Sequence, residues 1–184
     1  MAVPEEKRKK KELGDSSWIL DSCAPGDLLF FARTSEAAGD FEAAVLTAKT
    51  TDQNLFHVGI VVRLPSEKSD RQLGIVHAST KGVKCDSFAE MIENVEPDEI
   101  QVYAVEASES DKLRASEFAL TKVGCPYNDI FSPECKDSKG SEAYYCSQLV
   151  TKAYKGVDIG IPSHKMKFGS KDGVVPPVWD AYFK

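Results

Sequence analysis

The chain has 184 residues, of which 42% are hydrophobic and 28% charged, which is ordinary for a globular protein with one core. No apolar run approaches the roughly 18 residues that a transmembrane helix needs, so we expect no integral membrane segment. The formal net charge is −6 even though five basic residues stand together at positions 7–11, and this acidic balance argues against a nucleic-acid-binding surface.

The N-terminal residues 1–17 carry that basic run, and they predict a flexible tail ahead of a single domain over residues 18–184. The tail lacks the apolar segment of a secretory signal. As written, the sequence therefore predicts a cytoplasmic protein, and the alternative is an exported protein whose leader has been removed. The sequence does not indicate an oligomeric state.

Strands are predicted where apolar and β-branched stretches lie between turn residues. They span residues 28–32, 56–63, 73–79 and 101–106. A polar loop over residues 64–72 joins the second strand to the third, so these two strands are expected to form an antiparallel hairpin.

Helices are predicted where apolar residues recur at three- and four-residue spacing. They lie near residues 41–48 and over residues 87–93, 110–123 and 144–155. Ser110 can cap the third helix, and Gly124 and Gly156 follow the ends of the last two. Together the elements predict an α+β fold, in which an antiparallel sheet or a small barrel packs against helices.

The five cysteines lie at positions 23, 85, 125, 135 and 146, and no two of them form a Cys-x-x-Cys pair. The zinc-binding spacings are therefore missing, and we expect neither a metal site nor another cofactor. An odd number leaves at least one thiol outside any disulfide, and the sequence does not decide how Cys23, Cys85, Cys125 and Cys135 pair.

Two of the three histidines, His57 and His77, lie in the predicted hairpin. Direct pairing would place the turn at Glu67, in the middle of the loop, so we expect the two rings opposite each other or one diagonal apart on one face. One ring can then act as a general base while the other fixes its tautomer. A two-histidine metal site is the rival interpretation, without an evident third ligand. His164 matches no motif, and we expect it to be exposed.

Cys146, in the segment AYYCSQLVTKAY, falls within or just before the first turn of the last predicted helix. The positive helix N-terminus favours a thiolate there, and free backbone N–H groups can bind an oxyanion. From helix position alone, a buried structural thiol is the commoner fate of such a cysteine. The other four cysteines lack a comparable setting, so we interpret them as structural.

Five segments stand out in chain order: PGDLLFF (25–31), FHVGIVV (56–62), IVHAS (75–79), GCPYN (124–128) and YCSQLV (145–150). In this order they resemble the YiiX-like proteins, which are circularly permuted relatives of the NlpC-type papain-fold cysteine peptidases. The ending over residues 166–183 resembles the end of that family as well. The resemblance implies a papain-like catalytic domain in which the histidine precedes a polar residue and then the cysteine.

Carried over by position, the resemblance implies that Cys146 is the nucleophile and His57 the general base, with His77 in the third, orienting position. It implies that Tyr127, in the pattern G-x-P-Y, helps to line the oxyanion site. The expected function is cysteine-dependent hydrolysis of an amide bond in a small peptide or acyl-amide substrate, cell-wall peptides included.

Two alternatives stay open. One is a lipid acyltransferase or phospholipase of the lecithin:retinol acyltransferase type, although that group usually shows NCEHF around its cysteine where this chain has YCSQL (145–149). That group also commonly carries a membrane anchor. The other alternative is a non-enzymatic binding module on the same fold.

Overall fold

The structure of the protein, a computed structural model, describes residues 5–7, 17–32, 55–64, 72–95 and 97–162. The strands in these ranges are β1 (Glu5–Lys7), β2 (Leu28–Ala32), β3 (Leu55–Arg63), β4 (Leu73–Ser79), β5 (Gly82–Ser87) and β6 (Glu99–Ala104). The helices are α1 (Ser17–Ser22), α2 (Phe88–Val95), α3 (Glu109–Thr121) and α4 (Cys146–Lys155). The helix predicted near 41–48, His164 and the ending over 166–183 lie outside the described residues.

The strands form one sheet in the order β1-β6-β2-β3-β4-β5, and every neighbouring pair is antiparallel. Among the described residues the outer strands β1 and β5 do not pair with each other, so the sheet is open. The predicted α+β fold is confirmed, with an open antiparallel sheet rather than a barrel. β1 lies within the predicted tail and pairs with β6. The division of the chain into a tail and a domain stays a prediction.

Both faces of the sheet are covered, which is why its central strands are apolar almost throughout. Along β3, Val58, Ile60 and Val62 belong to a core cluster shared with α3 and α4, whereas Val61 belongs to a second cluster shared with α1 and α2. This alternation follows the two-residue period of a strand. One consequence is that α4, which begins at Cys146, packs directly on the first of these layers.

Several element ends differ from those predicted. The N-cap of α3 is Ser108 rather than Ser110, because the Ser108 hydroxyl accepts the backbone N–H of Asp111 at 3.1 Å and so satisfies a free donor of the first turn. This helix ends at Thr121, and α4 begins at Cys146 rather than at residue 144. The last predicted strand lies two residues earlier, at Glu99–Ala104, and the short predicted helix is Phe88–Val95. Three elements were not predicted: β1, α1 and β5.

The turn before β2 is fixed by a buried ion pair. The Asp27 carboxylate accepts the backbone N–H of Ala24 at 2.9 Å, and the Lys112 ammonium of α3 lies 3.4 Å from its other oxygen. Gly26 has a φ of 91°, and a Cβ there would lie 2.6 Å from that of Lys112, so the turn requires glycine. The Tyr154 hydroxyl of α4 donates to the Gly26 carbonyl. The turn is thereby tied to both helices of this layer.

Candidate active site

The site lies where β3 and β4 part. Their pairing runs from Arg63 and Leu73 to Gly59 and His77; beyond that point β3 pairs with β2 and β4 pairs with β5. The N–H of Val61 donates toward β2, to the Asp27 carbonyl at 2.8 Å. Alternation along the strand therefore directs the N–H of Val58 toward β4, where the ladder has already ended. This donor is available to another group in the gap.

The two histidines interact directly across this opening. Nε2 of His57 lies 2.9 Å from Nδ1 of His77, and the ring planes are 87° apart. The residue opposite His77 is Gly59, so the histidines are one diagonal apart on the same face. This is one of the two arrangements expected from the hairpin: His57 lies two residues before Gly59, the residue directly opposite His77.

A carboxylate that the sequence analysis missed extends this pair. Oδ2 of Asp86, on β5, lies 3.1 Å from Nε2 of His77 and also accepts a long hydrogen bond from Asn94 of α2 at 3.4 Å. His77 pairs with Lys84, which places Asp86 one diagonal further along the same face. The available signal was Gly82, which ends a short turn after β4 and would have indicated a second hairpin.

Burial keeps both imidazoles neutral. It lowers the pKa of His57 to about 3, and the neighbouring His77 lowers it further. Burial also lowers the pKa of His77, against the opposing effect of its hydrogen bond and charge interaction with Asp86; Lys84 adds to the lowering. Near neutral pH each ring therefore has one nitrogen with a proton and one with a lone pair.

Cys146 is the first residue of α4, after Tyr145 in an extended conformation. The N–H of Val58, left over where the ladder ends, interacts with the sulfur, as do the N–H groups of Ser147 and of Cys146 itself, and all three lower the pKa of the thiol. Burial has the larger effect and raises that pKa. The net shift of this pKa is upward and therefore opposes the thiolate that the helix N-terminus was expected to favour.

A cavity of about 400 Å³ brings the predicted site residues together. Cys146, His57, His77 and Tyr127 all line it. Asp86, Lys81 and Lys84 line it as well. The aromatic wall is formed by Tyr127, Phe131 and Tyr145, with ring centroids 6.3 Å apart for the first two and 5.2 Å for the last two.

A buried amide network, which the sequence did not reveal, holds this wall. Asn128 donates to the Gln148 side-chain oxygen at 2.9 Å and to the Ser132 carbonyl at 2.7 Å, and its own oxygen accepts the Ser132 N–H at 2.9 Å. Gln148 donates to the same carbonyl at 2.8 Å. Phe131, which lies between Asn128 and Ser132 in the chain, has a φ of 49°, a strained backbone conformation for an aromatic residue. The network anchors the loop of Asn128 and Ser132 to α4 through Gln148, which lies two residues after Cys146.

All five cysteines lie within the described ranges and are thiols. Among the described residues, no group of three histidine, cysteine, aspartate or glutamate side chains is arranged to hold a metal ion. None of the helices in these ranges is long and apolar enough to cross a membrane.

Residues 22–172 match the family model of the permuted papain-like amidase enzyme, YaeF/YiiX, C92 family. The chain belongs to this family. A search of curated proteins finds no match. As a member of the YaeF/YiiX family, the protein is an enzyme of the papain-like cysteine amidase or peptidase type with a permuted chain order. Membership favours an enzyme over the binding module considered above.

Proposed function

We propose that the protein hydrolyses an amide bond of a small peptide or acyl-amide substrate through an acyl-enzyme on Cys146. In this proposal His57 is the general base and His77 orients it. The observation that carries it is the position of the Cys146 sulfur, at a helix N-terminus and against the N–H of Val58, the residue next to His57. Family membership supports the reaction class.

The reaction begins from a neutral thiol and a neutral imidazole. His57 takes the thiol proton as the sulfur attacks the carbonyl carbon, and N–H groups at the start of α4 donate to the oxyanion. The C–N bond then breaks, and the amine leaves with the proton from His57. Water attacks the thioester, His57 accepts the water proton, and the acid departs as the proton returns to the sulfur. Tyr127, which lines the same cavity, is a proposed contributor to the oxyanion site.

A second candidate is transfer or hydrolysis of a lipid acyl group. The aromatic wall of Tyr127, Phe131 and Tyr145 favours it, because three adjacent rings offer an apolar surface to an acyl chain. The acyl-enzyme would be the same, and only the acyl donor and the acceptor would differ. A panel of N-acyl aminocoumarin amides, short peptide amides and phospholipids distinguishes the two candidates.

The nucleophile is tested by Cys146→Ala, with Cys125→Ala as the matched control because Cys125 is a half-buried thiol outside the cavity. We expect Cys146→Ala to lower kcat on the best substrate of the panel by at least about 10³-fold, while the control keeps full activity. A substrate-derived mass on the Cys146 peptide after rapid acid quenching would identify the acyl-enzyme. Full activity of Cys146→Ala would exclude the proposal.

A further inference from the structure

We infer that Asp86 is a positioning residue, which fixes the tautomers of His77 and His57 and thereby leaves Nδ1 of His57 as the proton acceptor. The inference rests on the proposed function, because it assigns the direction of the proton chain that serves Cys146.

The direction follows from donors and acceptors along the chain of three side chains. A carboxylate has no proton to donate, so the hydrogen bond between Asp86 and Nε2 of His77 (3.1 Å) requires the proton on that nitrogen. Neutral His77 then has its lone pair on Nδ1. That atom lies 2.9 Å from Nε2 of His57, which must therefore carry the proton of the second bond. The lone pair of neutral His57 is left on Nδ1.

The hydrogen bond between the two histidines could also run in the opposite direction, because neutral imidazole can adopt either tautomer. Two neutral rings can equally bond in the reverse sense, with Nδ1 of His77 donating to Nε2 of His57. His57 would then carry its proton on Nδ1 and could not accept one from the thiol. The carboxylate of Asp86 selects against this arrangement, since a ring with its lone pair on Nε2 would face a second acceptor across 3.1 Å.

The groups around Asp86 favour its role as a hydrogen-bond acceptor for His77. His77 is 2% exposed and the Asp86 side chain 14%, so water competes little for their bond. The charged and titratable groups facing His77 are Asp86 and Lys84 from β5 and His57 from β3. Asn94 of α2 donates to the oxygen of Asp86 that bonds His77, which reinforces its role as an acceptor. A charged Lys84 ammonium has no lone pair and cannot accept a hydrogen bond. The Asp86 carboxylate is therefore the acceptor for Nε2 of His77.

The first test is spectroscopic and needs no turnover. In protein labelled with ¹⁵N-histidine, long-range ¹H–¹⁵N correlations near neutral pH distinguish protonated from lone-pair nitrogens. His57→Gln and His164→Gln provide the assignments. We expect the wild-type protein to show both His57 and His77 with the proton on Nε2. A proton on Nδ1 of His57 in the wild-type protein would overturn the inference, and this result does not depend on the folding of any Asp86 variant.

The second test is Asp86→Asn, which keeps the size of the side chain and adds an amide that can donate to Nε2 of His77. We expect Nδ1-protonated His57 to become populated, and kcat to fall about 100-fold with KM changed less than threefold, because a wrong tautomer impairs the base rather than substrate binding. Asp86→Glu, which restores a carboxylate, is expected to recover part of kcat. Glu93→Gln, an exposed charge change on α2, is the control and is expected to leave kcat unchanged.

The outcomes separate this inference from the proposed function. Full activity of Cys146→Ala would exclude Cys146 as the nucleophile, whichever tautomers the histidines adopt. Loss of activity in Cys146→Ala together with unchanged kcat in Asp86→Asn leaves the nucleophile in place and overturns the role of Asp86. An unchanged His57 tautomer in Asp86→Asn also overturns it.

Discussion

Gly59 lies directly opposite His77 in the β3–β4 pair, and a Cβ added at Gly59 would lie 2.4 Å from Cγ2 of Ile75 and 3.4 Å from Cβ of His77. The first separation is shorter than real contacts allow, and the branched Ile75 side chain has little freedom to move away. The missing side chain at Gly59 therefore makes room for the strand that carries His77.

Gly59→Ala is expected to lower the free energy of unfolding by about 1–3 kcal/mol, because the methyl group overpacks a closed site. We also expect lower kcat, since any shift of β4 moves His77 relative to His57. Urea unfolding and kinetics measure the two effects. Gly160→Ala is the control, because no atom of the described residues lies within 4 Å of its added Cβ; an equal loss in both variants would contradict the steric argument.

Asp27→Ala is expected to lower the free energy of unfolding by about 3–5 kcal/mol, because it removes the buried partner of the Lys112 ammonium and leaves only the exposed Glu109 carboxylate, 3.9 Å away. Thermal and urea unfolding provide the measurement. Arg114→Ala, which breaks the more exposed ion pair with Asp111 on the same helix, is the matched control and should cost less than about 1 kcal/mol. Similar costs for the two variants would show that burial does not govern the Asp27 pair.

Asn128→Ala is expected to cost about 1–3 kcal/mol, because Gln148 and the Ser132 backbone lose their buried partner. We expect KM to rise more than kcat falls, since the network holds the aromatic wall rather than the reacting atoms. Ser138→Ala removes an exposed hydrogen bond to Asp129 in the same loop and should cost less than about 0.5 kcal/mol. A change in kcat alone would argue that Asn128 acts on the chemistry instead.

The depressed pKa of His57 predicts how stability depends on pH. Between the ordinary value of 6.5 and the folded value of about 3, the unfolded chain binds a proton that folded His57 does not. Stability is therefore lost as the pH falls through this window, by at most about 1.4 kcal/mol per pH unit from this one group. His57→Gln should flatten the dependence of the unfolding free energy on pH between 6.5 and 4. Parallel curves for the two proteins would contradict the lowered pKa of His57.

Local patterns were sufficient for most of the sheet. The bounds of β2 and β4 agree with those predicted, because each is a short apolar run between turn residues. The pairing of β3 with β4 was predicted only to within two residues, since the polar loop between them does not fix the register. The diagonal contact of His57 with His77 survives this shift because a two-residue offset keeps both side chains on one face.

The rest of the site depends on contacts that no local pattern encodes. β5 has the mixed sequence GVKCDS, so its period was not recognised and Asp86 was missed. Asn128 and Gln148 lie 20 residues apart and meet only when the loop folds over α4. The pKa of the Cys146 thiol depends on burial by the complete fold, which outweighs the effect of the backbone N–H groups around the sulfur.

The chain order of the site has a consequence for biosynthesis. His57, His77 and Asp86 lie on three consecutive strands that are synthesised before α3 and α4. Cys146 is therefore the last of these side chains to be added, and its helix completes the layer that α3 has begun on the sheet. A nascent chain ending before residue 146 contains the proposed base and its supports but not the proposed nucleophile. Under the proposed mechanism we therefore expect enzymatic activity only after α4 has been translated and has docked on the sheet.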